Sequence, residues 1–323
     1  MVRTIGVVLV GLGVFLAALT PLLRYYAYPN LAVLPTDYYT ISHAHAVNAT
    51  YFDASSREVV RDVELTVTQT IKGQPEAGTG EVAVWETFSM ITAPGGGKVG
   101  YSAQRVALDR RSGKAVNCCN DYVGTNKKAE HEGLVFKWPF FTKKKSYPYW
   151  DPTLLRAPPA EYEGTTTIRG LTVYKFVQRI ESTRVGTQKV PGKLVGKPDD
   201  PTVEADRMYR NYKTIYVEPT SGSPVQIVQD RRTTLRAPDG SGELVTIDAR
   251  IVLTDKQVGK LVAQAEDQRL KLTMLRNIVP LVCLGLGGLL IVVGLVLRLL
   301  LGRGRRHSPG RRNHQTRPQP APH

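Results

Sequence analysis

Acidic residues are missing from both ends of this chain of 323 residues, because every Asp and Glu lies between Asp37 and Asp267. The chain still carries a net charge of +15, and part of this excess is crowded into the C-terminal tail. The tail residues are Arg303, Arg305, Arg306, Arg311, Arg312 and Arg317. Basic residues next to a hydrophobic segment are typical of membrane topology signals. We therefore expect a lipid bilayer, and not nucleic acid, as the partner of this charge.

Motifs that identify enzymes, cofactor sites and metal sites are also missing. The sequence contains no Gly-x-Ser-x-Gly and no His-Glu-x-x-His, and Gly95–Lys98 lacks the spacing of a phosphate-binding loop. Its three cysteines are not grouped with histidines at the spacing of zinc ligands. His43 and His45 would share one face of an extended strand, but two ligands do not make a metal site. The sequence predicts a protein that is not an enzyme and needs no cofactor or metal.

Each end of the chain has a long apolar segment instead. Residues 5–23 contain no charged side chain, and as a helix they would reach about 28 Å, close to a hydrocarbon core of about 30 Å. Residues 278–301 contain one charge, Arg298, which lies near enough to the segment end to reach the interface. Both segments are predicted to be transmembrane helices. The alternative for the first is a cleavable signal peptide, although such peptides usually have apolar runs of about 7 to 15 residues.

The tail arginines also predict the orientation, because positively charged segments stay on the cytoplasmic side of the membrane. Residues 302–323 would then be a cytoplasmic tail, and their Arg and Pro content without an apolar run predicts disorder. Two spans place residues 1–4 in the cytoplasm as well and residues 24–277 outside. Glycines occur in both predicted spans, so the helices are expected to pack on each other or on another copy in a homo-oligomer.

Between the two spans, apolar and polar residues alternate with the period of half-buried strands. Val63, Leu65 and Val67 alternate with Glu64 and Thr66 in this way. Other strands are predicted at Glu81–Ile91, Tyr101–Asp109, Leu171–Ile180, Tyr212–Val217, Val225–Arg232 and Val245–Leu253. Hairpin turns are predicted at Arg111–Lys114, Arg169–Gly170 and Pro219–Ser223. The predicted fold is mainly β, an antiparallel sandwich or distorted barrel.

An amphipathic helix is predicted at residues 254–276, leading into the second span. Thr254 is a suitable N-cap, and Gln257 occupies the capping-box position. Apolar residues then recur at helical spacing, as Val258, Leu261, Val262, Ala265 and Leu272.

Cys118 and Cys119 are adjacent in the part of the chain that is predicted to be external, where cysteines are usually oxidised. Neighbouring α-carbons lie about 3.8 Å apart, which is below the usual range for a disulfide. A disulfide between these neighbours that stiffens a turn is our first interpretation. Bridges to another chain and free thiols are the alternatives.

An aromatic loop extends from Trp138 to Asp151. It contains Trp138, Phe140, Phe141, Tyr147, Tyr149 and Trp150, together with Lys143, Lys144 and Lys145. In one interpretation the rings form a lid that packs on the sheet, because each ring buries about 150 to 250 Å². In the other, the loop is a binding surface for a lipid, a glycan or a protein, with the lysines directed at anionic groups.

Three motifs carry a resemblance to a known family, and they lie at Asn117–Asn120, Gly133–Phe140 and Tyr147–Asp151. With the overall layout, they resemble the actinobacterial PorA-type porin family, once described as a domain of unknown function. The resemblance covers nearly the full chain. It implies a cell-envelope protein of a high-GC Gram-positive bacterium, with channel activity attributed to at least one member, and it supplies no catalytic motif.

Two functions are therefore expected. The first is a non-enzymatic, membrane-anchored envelope protein whose external β-domain binds a lipid, a glycan or another envelope protein. The alternative is an oligomeric channel of the cell envelope, for which a basic external domain would favour anions.

Overall fold

The computed structural model describes residues 2–302, which form two compact units. Among the described residues, one unit consists of 2–27 and 275–302, and the other is Tyr28–Met274. Of the predicted cytoplasmic tail at 302–323, all but Gly302 lies outside the described residues, as does Met1 of the predicted N-terminal segment. The helices are α1 (Val2–Pro21), α2 (Tyr28–Leu31), α3 (Asp255–Thr273) and α4 (Val279–Gly302), with π-helical turns at Leu22–Ala27 and Met274–Ile278.

The first unit is a pair of apolar helices, and both are long and apolar enough to cross a membrane. The first helix starts at Val2, three residues before the predicted start of the span. Glycines bring the two backbones together: a β-carbon on Gly13 would lie 2.6 Å from the carbonyl oxygen of Gly287, and one on Gly294 would lie 2.8 Å from that of Gly6. The earlier glycine of α1, Gly6, meets the later glycine of α4, Gly294. The two helices are therefore antiparallel and in close contact.

The second unit is built on one antiparallel sheet of eleven strands. The strands are β1 (Tyr39–Asp53), β2 (Glu58–Gly73), β3 (Val82–Thr92), β4 (Lys98–Asp109), β5 (Tyr122–Val123), β6 (Tyr147–Pro148), β7 (Pro159–Ile168), β8 (Leu171–Val190), β9 (Val203–Glu218), β10 (Ser223–Arg236) and β11 (Glu243–Leu253). Their order across the sheet is β5-β4-β3-β2-β1-β11-β10-β9-β8-β7-β6. The mainly β, antiparallel prediction is confirmed.

The sheet consists of two meanders that meet where β1 pairs with β11, as at Ala44 opposite Leu253. The sheet is curled, and its two edge strands, β5 and β6, are joined by the chain between them. A side-chain hydrogen bond links the two sides, because Trp150, just after β6, donates from Nε1 to the Gln104 side-chain oxygen on β4 at 3.1 Å. Of the two predicted architectures, a single curled sheet corresponds to the distorted barrel and not to the sandwich.

Alternation of side chains separates an inner face of the sheet from an outer one. The inner face carries buried residues such as Leu65, Ala249 and Ile215, whereas the neighbouring Glu64 and Arg250 are exposed on the outer face. This is the pattern that the period-two alternation predicts. The outer face is therefore polar and charged.

Several strands are longer than predicted. The strand predicted at Leu171–Ile180 continues to Val190, and the one predicted at Tyr212–Val217 begins at Val203. The added residues of β8 are mostly polar and exposed, and two register shifts interrupt their pairing with β9. No apolar alternation marks such a segment in the sequence. The structure also contains four strands that were not predicted, namely β1 (Tyr39–Asp53), β7 (Pro159–Ile168) and the short strands β5 and β6.

Helix α3 packs its apolar face on the sheet, as the helical spacing predicts. Val258, Val262 and Ala265 are buried against Leu171 and Val225. The hydroxyl of the N-cap residue Thr254 accepts a hydrogen bond from the backbone N–H of Gln257. The return bond of a capping box is not made, because the Gln257 side chain donates instead to the Ser42 hydroxyl on β1 at 3.2 Å.

Candidate ligand-binding cavity

A cavity of about 500 Å³ lies against the inner face of the sheet, within the second unit. Ligand cavities for small molecules usually measure about 300 to 1,000 Å³. The walls come from β1 to β4, β9 to β11, α3 and the aromatic loop. Apolar residues in the wall include Leu34, Ile71, Trp85, Ile91, Trp150 and Leu253. Polar residues include Ser42, Gln69, Thr87, Gln104, Gln229 and Gln268.

The aromatic loop contributes buried rings to this region. Trp138, Tyr147, Tyr149 and Trp150 are buried, and the Trp138 ring stacks on that of Tyr149 at 4.8 Å between centroids. Trp138 also lies 5.1 Å from the ring of Phe176 on β8. This is the arrangement of the first interpretation, in which the rings pack on the sheet.

The remaining residues of the aromatic loop are distributed around this packed group. Phe140 and Phe141 are half-buried, and Phe141 meets the Tyr28 ring edge to face. Lys143, Lys144 and Lys145 are exposed, so the structure does not bring the lysines and the buried rings into one open surface. A role of these lysines in binding anionic groups stays a prediction.

The structure places the Cys118 and Cys119 sulfur atoms within bonding distance, at 2.16 Å. The turn is fixed by Asn117, whose side chain accepts from the His131 backbone N–H and donates to the His131 carbonyl. Neither cysteine lines the cavity. The role of this pair in stiffening the turn stays a prediction.

Four charged side chains line the cavity, and three of them are positive: Lys137, Lys213 and Arg231 face a single carboxylate, Asp151. Burial opposes ionisation of Asp151, but Lys213 and hydrogen bonds outweigh this and hold the pKa of Asp151 below its usual value. Asp151 accepts from the Tyr209 hydroxyl at 2.9 Å, and its oxygen lies 3.6 Å from the Lys213 ammonium. Backbone N–H groups of the following turn complete its partners. Asp151 is thus an ionised, fully bonded group.

The two lysines of the cavity differ in their partners. Burial lowers the pKa of Lys213, Asp151 raises it, and Arg231 lowers it further. Burial lowers the pKa of Lys137 to about 7, although the charge of Glu218 opposes this. The Lys137 ammonium lies 3.5 Å from the centre of the Phe140 ring.

Lys213, Arg231 and Asp151 were not predicted as site residues. Lys213 occupies an inner-face position of β9, between the buried residues Asn211 and Ile215. A lysine on the apolar side of an alternating strand is the sequence signal that would have identified it. No comparable sequence signal marks Asp151. Its partners are Tyr209 and Lys213 on β9 and backbone N–H groups of the turn that follows Asp151.

Comparison with known proteins identifies the family. A family model described as "Porin PorA" matches residues 5–296, which include most of both apolar helices and the whole sheet. This chain belongs to the PorA porin family. The resemblance inferred from the motifs is therefore confirmed, and the chain is a membrane protein of the cell envelope.

Two curated relatives carry the same description. A "Porin PorA" of Corynebacterium amycolatum is 34% identical over 115 residues, which cover 28% of this chain and 30% of the relative. A "Porin PorA" of Corynebacterium resistens is 24% identical over 239 residues, which cover 54% of this chain and 58% of the relative. The matched part is thus less than two thirds of the length of either relative.

Metal binding finds no support in the geometry of this family member. Within residues 2–302, no three His, Cys, Asp or Glu side chains come together in a way that would hold a metal ion. His43 and His45 lie on the outer face of β1, away from the cavity.

Proposed function

We propose that this chain forms a channel of the cell envelope by assembly of several copies. The match to the PorA porin family over residues 5–296 carries this proposal. A channel from one copy has no support in the geometry, because α1 and α4 pack with glycine backbones in contact and leave no space between them. The sheet does not resemble a porin barrel either, since its outer face presents charges where a membrane barrel presents an apolar band.

The helix pair has further glycines that suit contacts between copies. Nothing lies within 4 Å of the β-carbon positions of Gly11 on α1 and of Gly285 and Gly288 on α4. Small residues on an open helix face allow a second helix to approach closely within a membrane. These positions support assembly through the helices, with a pore lined by several copies.

Planar-bilayer recordings on the purified full chain test the channel. We expect discrete conductance steps, and the net positive charge of the chain predicts a preference for anions over cations. Crosslinking in detergent is expected to show an oligomer in the same preparation. Absence of conductance at all voltages, with the oligomer intact, would contradict the proposal.

We also propose a second function, binding of a lipid in the cavity of the external domain. The observation that favours it is the mixed wall, in which apolar rings and aliphatic side chains alternate with amides and hydroxyls. Such a wall suits a molecule with an apolar chain and a polar end better than a purely polar sugar, because buried apolar surface gains free energy only against an apolar partner.

Native mass spectrometry of the full chain, released from detergent, tests this second function. We expect a fraction of the protein to retain one molecule with the mass of a lipid. Organic extraction followed by lipid analysis would identify its class. A chain that never retains a lipid, and gains none after incubation with an envelope lipid extract, would contradict the proposal.

A further inference from the structure

The cavity has an excess of positive charge on one side. Arg231 lies on the inner face of β10, opposite Asn211 of β9, and Lys213 is the next inner-face residue along β9. Diagonal neighbours of this kind lie about 7 to 8 Å apart. Asp151 balances one of the two charges through its contact with Lys213. The second positive charge, on Arg231, remains.

Arg231 lacks the ion pairs that two arginines of the adjoining outer face make, Arg232 and Arg250. Among the described residues, no carboxylate lies within salt-bridge distance of its guanidinium, and its buried Nε atom has no hydrogen-bond partner. Its neighbour Arg232 points to the outer face and pairs with Asp248 at 2.7 Å, and Arg250 pairs with Asp230 at 3.1 Å. Arg231 contacts the Tyr209 ring instead, at 5.6 Å.

A half-buried cation without a counter-ion is unfavourable, and an anion in the cavity would offset part of this cost. A guanidinium suits a carboxylate or a phosphate, because its planar fork donates two parallel hydrogen bonds. Lys213 adds a second donor from the adjacent strand. Trp85 and Ile91 on β3 also line the cavity and offer apolar surface to a hydrocarbon chain, although Thr87 and Ser89 lie between them.

We propose that the cavity binds an amphipathic lipid with an acidic headgroup, with the headgroup held by Arg231 and Lys213 and the chain lying towards Trp85. This inference rests on the second proposed function, lipid binding in the cavity, and adds the chemical class of the ligand. A free fatty acid and an anionic phospholipid share this chemistry.

Tryptophan fluorescence can report binding of a lipid in the cavity. The chain has three, Trp85, Trp138 and Trp150, and all are buried in the external domain with exposed fractions of 1% to 3%. Trp85 and Trp150 line the cavity. Bromine on a bound acyl chain quenches tryptophan fluorescence by contact, and bromine in the bilayer does not reach buried rings.

The experiment uses the full chain in phosphatidylcholine nanodiscs, with three probes delivered from cyclodextrin. These are 9,10-dibromostearate, its uncharged methyl ester, and phosphatidic acid with dibrominated chains. We expect saturable quenching by dibromostearate or by the phosphatidic acid, and binding of the ester at least about tenfold weaker, the usual effect of losing one charge-assisted hydrogen bond. Quenching by the fatty acid alone assigns a carboxylate, and quenching by the phosphatidic acid assigns a lipid phosphate.

Variants test the residues. Arg231→Gln is expected to weaken binding of the acidic probe about tenfold or more and to leave binding of the ester unchanged. Arg250→Gln removes the same charge from the outer face of the neighbouring strand and should leave both unchanged. If Arg231→Gln does not fold, Arg231→Lys keeps the charge, removes the planar fork and should weaken binding by a smaller factor.

The outcomes separate this inference from the function on which it rests. Equal quenching by the acid and the ester would overturn the acidic headgroup and leave lipid binding in place. A loss of binding in Arg250→Gln as large as in Arg231→Gln would also overturn the assignment to Arg231. No quenching by any probe would overturn both the inference and lipid binding.

Discussion

At the scale of single residues, the cavity is defined by ionisable side chains in unusual surroundings. Lys213 is buried and Lys137 is half-buried, yet only Lys213 has a carboxylate partner in contact. Buried lysines lose their proton at lower pH than exposed ones, because burial disfavours the charged form. The charge of Lys137 is therefore expected to change near neutral pH.

The lowered pKa of Lys137 predicts how the free energy of unfolding depends on pH. With a pKa of about 7 in the folded protein, against about 10.4 in the unfolded chain, Lys137 is neutral in the fold while the unfolded chain still binds the proton. Stability should then rise with pH from about 7 to about 10. We expect Lys137→Met to remove this rise and to increase stability at pH 6. Thermal unfolding of the full chain in detergent, followed by tryptophan fluorescence, measures both effects.

Lys193→Met provides the control, because Lys193 is an exposed lysine of the same domain. Its midpoint of unfolding should follow the pH dependence of the unmodified chain. If Lys137→Met keeps the same rise between pH 7 and 9 as this control, Lys137 does not carry the effect.

The residues of the cavity show what sequence patterns do and do not reveal. The alternation that places Leu65 on the inner face also places Lys213 there, so its position followed from the sequence. Its partner did not, because Asp151 comes from a distant part of the chain and nothing near it specifies which strand it meets. The burial of Trp138 and Tyr149 was one of two readings, since aromatic composition does not distinguish a packed lid from an open surface.

At the scale of secondary-structure elements, strongly periodic segments were predictable and polar ones were not. The terminal helices and α3 follow from apolar runs and helical spacing, and β2 from strict alternation. The end of β8 was missed because its Glu181–Lys189 segment is polar on both faces and is held only by pairing with β9. When a segment is polar on both faces, its own residues do not indicate that it pairs with a distant strand.

The helix pair yields a prediction with matched single-methyl substitutions. Gly13→Ala places a methyl 2.6 Å from the Gly287 carbonyl oxygen and should force α1 and α4 apart, which lowers thermal stability. Gly11→Ala adds the same methyl two residues earlier, where nothing lies within 4 Å, and should leave the stability of a single copy unchanged. Thermal unfolding in excess detergent, at a protein concentration at which crosslinking shows single copies, compares the two. An equal loss in both variants would contradict the observed packing.

At the scale of the whole molecule, a membrane anchor and a β-domain belong to one chain of the PorA porin family. The polar outer face of the sheet fits an aqueous surrounding, and the apolar helices fit a bilayer. The proposed orientation places the sheet outside the cell and both termini inside, because the tail arginines favour the cytoplasm. The proposed lipid site would then open to the envelope.

Labelling of single cysteines tests this orientation. In a background with the three native cysteines replaced by alanine, Ser56→Cys lies in an exposed turn after β1, and Ser308→Cys lies in the arginine-rich tail. A membrane-impermeant maleimide added to intact cells should label Ser56→Cys, and label Ser308→Cys only after the cells are lysed. The reverse pattern would show that the domain is cytoplasmic.

The pairing of the first strand with the last has a consequence for biogenesis. Ala44 acquires its neighbour Leu253 only when nearly the whole domain has been synthesised. Until then the early meander presents an unprotected strand edge, a known starting point for aggregation. In the proposed orientation, the entire domain would have to cross the membrane before the sheet is complete, and a holding chaperone outside the membrane would protect the nascent half-sheet during this interval.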